Sequence, residues 1–298
     1  MFFILLSVFF FFIIFAKKSL MNIEEKIGFD KIKQQINGLV LSDLGRSRID
    51  SIELMYQKNM IEDELFCISE FKEIISKTEF PTAYFFDVRN ILKNAEKGNS
   101  YLTVEEVVML WRSLGTLSEI VAFFKNQDNK ENYPHLSEKT KQVKFYPFVI
   151  DQIKRILTKE GEIKDNASKE LNRIRTELKA KEAVISGIIR RALTEAIKSG
   201  YVEEDANAVI RNGKMLIPVA VANKNKIHGI VQDYSDSGKT VYIEPLKSVE
   251  FSNQIRDLIF EEKREIIKIL VEFTDSIRPY IDDLLGAYDF LSHIDFLR

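Results

Sequence analysis

Residues 209–219, Val209-Ile210-Arg211-Asn212-Gly213-Lys214-Met215-Leu216-Ile217-Pro218-Val219, place Asn-Gly between two runs of aliphatic residues. Asn and Gly tolerate the positive φ angles that a two-residue hairpin turn needs at both central positions, so the stretch predicts a β-hairpin. Two more runs of β-forming residues follow, Ile227-His228-Gly229-Ile230-Val231 and Thr240-Val241-Tyr242-Ile243. Asn223-Lys224-Asn225 and Ser235-Asp236-Ser237-Gly238 separate them as turns. A small antiparallel β subdomain is therefore predicted over 201–247.

Both flanks of this sheet read as long helices. Before it, Leu171, Ile174, Leu178, Ile185, Ile188 and Ala192 recur at helical spacing between Asp165-Asn166-Ala167-Ser168 and Ser199-Gly200, with Lys181 breaking the apolar seam. After it, Ile255, Ile259, Ile266, Leu270, Phe273 and Ile277 form a second seam, broken by Glu262, before Pro279 bends or restarts the helix. A seam this narrow pairs with one partner and does not fill the middle of a globule. Two such helices around a short insertion bury both seams by running back along one another. The pattern predicts an antiparallel arm about forty residues deep, roughly 50 Å at 1.5 Å per residue. The outgoing helix falls within 164–200; the returning helix and the start of a return to the core fall within 248–298.

Residues 21–163 read as a helical core of short helices. Ile23, Ile27, Phe29, Ile32 and Ile36 keep helical spacing, Ser42 caps Asp43-Leu44-Gly45-Arg46, and Thr103 with Glu106 forms a capping box. Further helices are predicted over 60–77, 85–94 and 103–125, with Phe80-Pro81 and Lys97-Gly98-Asn99 as breaks and 126–131 as a surface loop. The 12 glycines and 6 prolines in 298 residues favour long helices over an all-β fold. The predicted fold class is mainly α: a helical core bundle with a long antiparallel two-helix arm, tipped by a small antiparallel β subdomain.

A net charge of −2 gives no global attraction to nucleic acid or to an anionic membrane, so any such binding needs a local basic patch. The single cysteine, Cys67, excludes an internal disulfide and a cysteine-based zinc site. Among Leu65, Phe66 and Ile68 it reads as a packed thiol of a cytoplasmic protein. Residues 1–20 stand apart, because Met1 to Ala16 is almost wholly apolar and ends at Lys17-Lys18. That run is shorter than the ~20 residues that span a hydrocarbon core, and it lacks the flanks of a secretory signal. Three readings stay open: a start codon placed upstream of a true Met21, a signal-anchor, and a buried apolar helix. Membrane attachment follows only from the second.

The segment Gly229-Ile230-Val231-Gln232-Asp233-Tyr234-Ser235-Asp236-Ser237-Gly238-Lys239-Thr240-Val241-Tyr242-Ile243-Glu244-Pro245, taken with the hairpin around Asn212-Gly213, resembles the clamp of the MutS-II branch of the MutS family. Leu44-Gly45-Arg46 resembles the opening of that family's core, and the likeness runs loosely from Met21 to Arg298. The resemblance implies a core, a lever of two helices and a clamp that closes over DNA of duplex or branched structure, or over structured RNA or a ribosome. It also implies, for full-length relatives, a homodimer moved by a P-loop ATPase with ATP and magnesium, often carrying a nuclease domain as well. Their work is DNA mismatch repair, recombination control or action on stalled ribosomes. The ATPase motifs do not occur in this chain, so no cofactor is expected within it.

Candidate chemistry comes down to cations at the tip. Arg211 and Lys214 border the Asn-Gly hairpin, Lys224 and Lys226 share a polar turn, and Lys239 follows Gly238. Such residues in turns meet phosphates through side chains and neighbouring backbone N–H groups. By themselves they read first as ordinary solvated loops; the resemblance implies that they are the clamp's nucleic-acid contacts. Along the outgoing helix, Lys169, Arg173, Arg190 and Arg191 are offset by Glu170, Glu177, Glu182 and Glu195, as in helix-stabilising ion pairs.

Other motifs read as structure. Gly238-Lys239-Thr240 ends like a P-loop, but Asp233 stands where the first glycine belongs and a strand follows, so the segment is a turn. His135, His228 and His293 have no partner at ligand spacing, and no G-x-S-x-G occurs, so neither a metal site nor a nucleophile is expected. Glu244 reads as structural at a strand end and Trp111 as core. The rival reading of the whole is a non-catalytic protein whose arm is a coiled-coil surface for a partner.

Overall fold

A computed structural model describes residues 25–298 apart from Leu41 and Phe145, so the apolar stretch 1–20 lies outside the described residues. Helices α1 (Phe29–Leu39), α2 (Asp43–Asp50), α3 (Lys58–Lys77), α4 (Arg89–Ala95) and α5 (Val104–Lys125) come first. Then come α6 (Gln127–Asn132), α7 (Pro134–Lys141), α8 (Pro147–Ile156) and α9 (Lys169–Lys198). Strands β1 (Val209–Arg211), β2 (Lys214–Ala220), β3 (Gly229–Tyr234) and β4 (Thr240–Pro245) precede α10 (Leu246–Ile277) and α11 (Ile281–Leu297). The fold is thus mainly α with a small antiparallel sheet. It divides into two compact units, one of residues up to Ile153 plus Phe273–Arg298, the other of Lys154–Glu272.

The first unit is helical. Its long α5 starts at the expected capping box: Thr103 N–H donates to the Glu106 carboxylate at 2.8 Å, and Glu106 N–H donates to the Thr103 hydroxyl at 3.3 Å. Leu110, Leu114, Leu117, Ile120 and Phe124 bury one side of α5 completely. The helix is long and apolar enough to cross a membrane, yet this side is the centre of a packed core. Trp111, expected in that core, is only partly buried. The all-polar run after α5, expected as a loop, forms the short α6. Asn126 accepts the Asp128 N–H at 3.0 Å and Gln127 bonds Glu131 one turn on, local contacts that offset the poor nucleation of so short a helix.

The chain's last helix closes this unit. Through Tyr288, Leu291 and Ile294, α11 supplies fully buried core residues, while its polar groups reach the earlier helices. The Tyr288 and Ser113 hydroxyls hydrogen-bond, and the Ser292 hydroxyl donates to the Leu44 carbonyl at 2.9 Å. The Asp295 carboxylate accepts from the Ser42 hydroxyl and, at 2.9 Å, from Gly45 N–H. A Cβ on Gly45 would sit 2.6 Å from that carboxylate and 2.8 Å from Val40, so only glycine permits the approach. Ser42-Asp43-Leu44-Gly45 therefore combines a helix cap, a core residue and a docking point for α11.

The second unit begins with an antiparallel bridge between Leu157 and Ile163 and then enters α9. Ser168 caps α9 by accepting Leu171 N–H at 2.9 Å. Gly200, at φ 68, ends it, with Tyr201 N–H bonding the Ala196 carbonyl and Gly200 N–H the Ile197 carbonyl, both at 2.9 Å. Pairs across the arm show the antiparallel course: Ser168 with Glu265 at 2.7 Å, Arg175 with Glu262 at 2.7 Å, and Lys181 with Gln254 at 2.8 Å. Numbers rise on α9 as they fall on α10. Both polar interruptions of the seams, Lys181 and Glu262, are thus satisfied from the facing helix.

The arm differs from expectation in two respects. Its helices have 30 and 32 residues instead of forty. The first half of the α9 seam packs on α10 alone, where Ile174 and Leu178 meet Leu258, while Phe251 and Ile255 of α10 only flank the second half. Farther on, Ile185, Ile189 and Ala196 pack against Ile217, Val219, Val241 and Ile243 of the sheet. The buried positions shift accordingly from Ile188 and Ala192 to Ile189 and Ala196, and on α10 from Ile259 to Leu258. A helix of 3.6 residues per turn drifts off a strict seven-residue seam, and its distal half faces a sheet that the seam did not anticipate.

The sheet has strand order β1-β2-β4-β3, antiparallel throughout. Asn212 and Gly213 turn the first hairpin at φ 49 and 73, with Arg211 opposite Lys214. The Asn223-Lys224-Asn225 turn is a 3-10 helix, Val221–Lys226. Strand β3 starts at Gly229 and not at Ile227. Gly229 lies opposite Pro245, so close that a Cβ would be 2.4 Å from the Glu244 carbonyl oxygen. A bulge at Gln232 separates the pairs Val231–Ile243 and Asp233–Tyr242.

Candidate nucleic-acid interface

The tip cations fall into two groups. Arg211 and Lys214, paired across β1 and β2, share one face of the sheet with each other. Arg211 donates to the Asp233 carboxylate at 2.7 Å and to the Tyr242 hydroxyl at 3.1 Å, and its guanidinium stacks 3.9 Å from the Tyr242 ring centre. The hydrogen bond from Arg211 lowers the Asp233 pKa below the usual carboxylate range, and the same bond raises that of Arg211. Lys214 Nζ donates to Glu244 Oε2 at 2.7 Å, and Gln232 Nε2 donates to the same oxygen at 2.7 Å. Glu244 is fully buried, and a buried carboxylate is tolerated only with such donors around it. Its other oxygen has no hydrogen-bond partner.

Arg211 and Lys214 are thus engaged inside the protein. Together with Gln232, Asp233, Tyr242 and Glu244 they form the polar networks that tie all four strands on one face. These residues stand far apart in sequence because β2 pairs with β4 and not with β3.

Lys224, Lys226 and Lys239 are exposed, and no side-chain hydrogen bond or ion pair engages them among the described residues. Val221 N–H donates to the Lys239 carbonyl at 3.0 Å, next to the pair Ala220–Thr240. The 3-10 segment Val221–Lys226 therefore starts beside the turn carrying Lys239, at the Ala220–Thr240 end of β2 and β4, and runs on toward the start of β3, where His228 meets Leu246 at the other end of β4. Both are pinned. Asn223 Nδ2 donates to the Tyr201 carbonyl at 3.1 Å, while Gly238 N–H bonds the Ser235 carbonyl at 2.8 Å and Thr240 N–H the Ser235 hydroxyl at 3.1 Å. Gly238 sits in this turn at φ 67 and β4 follows it directly, so Gly238-Lys239-Thr240 lacks the helix N-terminus that a P-loop uses. Lysine ammonium groups on a fixed backbone suit phosphate oxygens as point charges; they do not discriminate bases.

On the arm, Arg173 pairs with Glu170 and Glu177 at 2.8 Å each, as expected, whereas Arg191 bonds the Gly187 carbonyl one turn back at 3.2 Å. Among the described residues no group of His, Cys, Asp and Glu is arranged to hold a metal ion. The second unit also contains a groove of about 710 Å³ between the distal half of α9, the segment Lys226–His228 and the start of α10. Ile188, Ala192 and Leu246 give it apolar walls, and Arg191, Lys226 and Lys247 give it cations. No periodicity links residues of three separate segments, so the sequence does not point to Lys247, Tyr201 or His228. The single local signal is Leu246, an apolar residue just past a strand end, which is 63% exposed.

No family model matches the chain. Individual proteins do. Those named Endonuclease MutS2 from Finegoldia magna, Geobacillus sp. and Pelotomaculum thermopropionicum are 32%, 31% and 30% identical to it over 286, 287 and 282 residues. The matches cover 94%, 90% and 94% of this chain but 35%, 34% and 35% of those proteins, so the chain spans about a third of its relatives' length. Matching MutS2 proteins along nearly all of its residues, and carrying the clamp-like segment on a four-stranded sheet between two antiparallel helices, this chain belongs to the MutS family.

Proposed function

We propose that this chain is the nucleic-acid-holding portion of a MutS2-type protein, gripping the sugar-phosphate backbone at the tip of its arm without reading bases. The observation that carries this reading is the trio Lys224, Lys226 and Lys239, exposed and unengaged on two adjoining, pinned loops. Arg211 and Lys214 shape the sheet that presents them. The partner is DNA of duplex or branched structure, with structured RNA as the alternative. In the whole protein, a cytoplasmic homodimer, ATP and magnesium belong to an ATPase that moves this portion in mismatch repair or recombination control. The relatives' name describes an endonuclease, and we place cleavage outside the residues described.

The rival reading, an arm that pairs with a partner's helix, has less support, since Ile174, Leu178 and Leu258 already cover one another within the chain. Binding of a DNA duplex should weaken steeply with salt. The triple variant Lys224→Ala, Lys226→Ala, Lys239→Ala should reduce the slope of log affinity against log salt by about 2.7, at ~0.9 per lost phosphate contact. An unchanged slope refutes the assignment of the tip.

A further inference from the structure

We infer that the groove beside Lys226 receives an unpaired nucleotide of the bound nucleic acid, its base against the apolar walls and its phosphates at the cationic rim. This inference rests on the phosphate-holding reading above. Arg191, Lys226 and Lys247 face a single acid, Glu195, so the rim favours an anion. Between them Ile188, Ala192 and the exposed Leu246 offer apolar surface, with the rings of Tyr201 and His228 at the edge. Anionic backbone next to a flat apolar ring is the chemistry of a nucleotide, and cationic grooves with aromatic or apolar platforms are how unpaired strands are held.

Size and continuity favour this occupant over an acidic peptide. The volume of about 710 Å³ lies within the ~300–1,000 Å³ of pockets that bury one small ligand, whereas an amphipathic helix needs an extended trough. Lys226 ends the 3-10 segment that starts beside the Lys239 turn and itself lines the groove, so a strand held along that segment at Lys224 is led to it. A base inside a duplex is stacked and paired, and cannot enter; one at a flap, gap or junction can. The groove is held open by backbone: Leu246 N–H donates to the His228 carbonyl at 3.1 Å, and Asn223 holds Tyr201.

The test uses the full chain and three labelled probes: a blunt duplex, the same duplex with a short oligo-dT overhang, and that duplex with an overhang of abasic residues. Binding is read by fluorescence anisotropy. The dT overhang should bind about tenfold tighter than the abasic one, the scale of one stacked base. Leu246→Glu, which places a carboxylate at an exposed position, should abolish that gain, read as the ratio of the two overhang affinities so that any loss of phosphate grip at the neighbouring Lys226 cancels, while Leu246→Met should retain it. Equal affinity for the dT and abasic overhangs, or a gain that survives Leu246→Glu, overturns the inference while leaving the phosphate grip standing. Tighter capture of an acidic Leu-Glu peptide than of the dT overhang overturns it in favour of a protein partner. Loss of all duplex binding in the unaltered chain overturns the phosphate-holding reading, and this one with it.

Discussion

The first unit is closed by residues from opposite ends of the described chain: Ser42 and Gly45 meet Asp295, Glu64 meets His293, and Ser113 meets Tyr288. The second unit is one uninterrupted segment, Lys154–Glu272, in which each element meets a neighbour in the chain or the helix that runs back beside it. Loop closure over some 250 residues must precede the reward of the first unit's core, whereas the second unit forms from two hairpins, a short β2–β4 crossover and one helical return. The two units therefore depend on different parts of the chain. The second can persist when the first is broken.

The largest expected effect comes from deleting residues 281–298. Loss of Tyr288, Leu291 and Ile294 empties the first unit's core, so amides of α2 and α5 should lose hydrogen-exchange protection while those of β2 and β4 keep theirs. Loss of protection in the sheet would break the comparison. Next in size is Lys214→Met, which leaves the buried Glu244 carboxylate without its cation and should cost the second unit roughly 3 kcal/mol in urea unfolding. Adding Glu244→Gln should recover much of the loss.

Acid should strike the first unit at Glu64. The hydrogen bond from His293, 2.8 Å away, and then the charges of His293 and Lys139 hold the Glu64 pKa down to about 2 from its ordinary 4.5. A depressed folded-state pKa stabilises above the unfolded value, and that stability is lost as pH falls from 4.5 toward 2. It amounts to on the order of 2–3 kcal/mol, and Glu64→Gln should flatten the unfolding profile in that window. The smallest effects come from a matched pair, Gly45→Ala and Gly229→Ala. Each forces a Cβ into contact closer than 3 Å and should cost about 2 kcal/mol, the first in the helical unit alone and the second in the sheet alone. Equal responses of both units to either variant would contradict their independence.

Features that depend on neighbours in sequence were legible. The Asn212-Gly213 hairpin, the Thr103 capping box, the Ser199-Gly200 helix end and the two interrupted seams all follow from local rules. Even the interruptions were informative, because Lys181 and Glu262 mark where the two helices answer each other with polar groups. What stayed hidden depends on register. Arg211 and Lys214 look like free cations until Asp233 and Glu244 arrive from strands that are not adjacent in sequence. The seam of α9 could not announce that its distal half faces a sheet, and a groove assembled from α9, a 3-10 turn and the first residues of α10 leaves no pattern at all.

The bulge at Gln232 has a consequence for solubility. Strand β3 is the outermost strand on its side, with Ile230, Val231 and Tyr234 exposed. Without Gln232 its ladder with β4 would run unbroken from Gly229 to Tyr234, a regular apolar border able to accept a strand from any passing chain. One extra residue spoils that template by twisting the border and leaving a gap in its row of donors and acceptors. In this single insertion the sheet keeps the means of not pairing, edge to edge, with another sheet like itself.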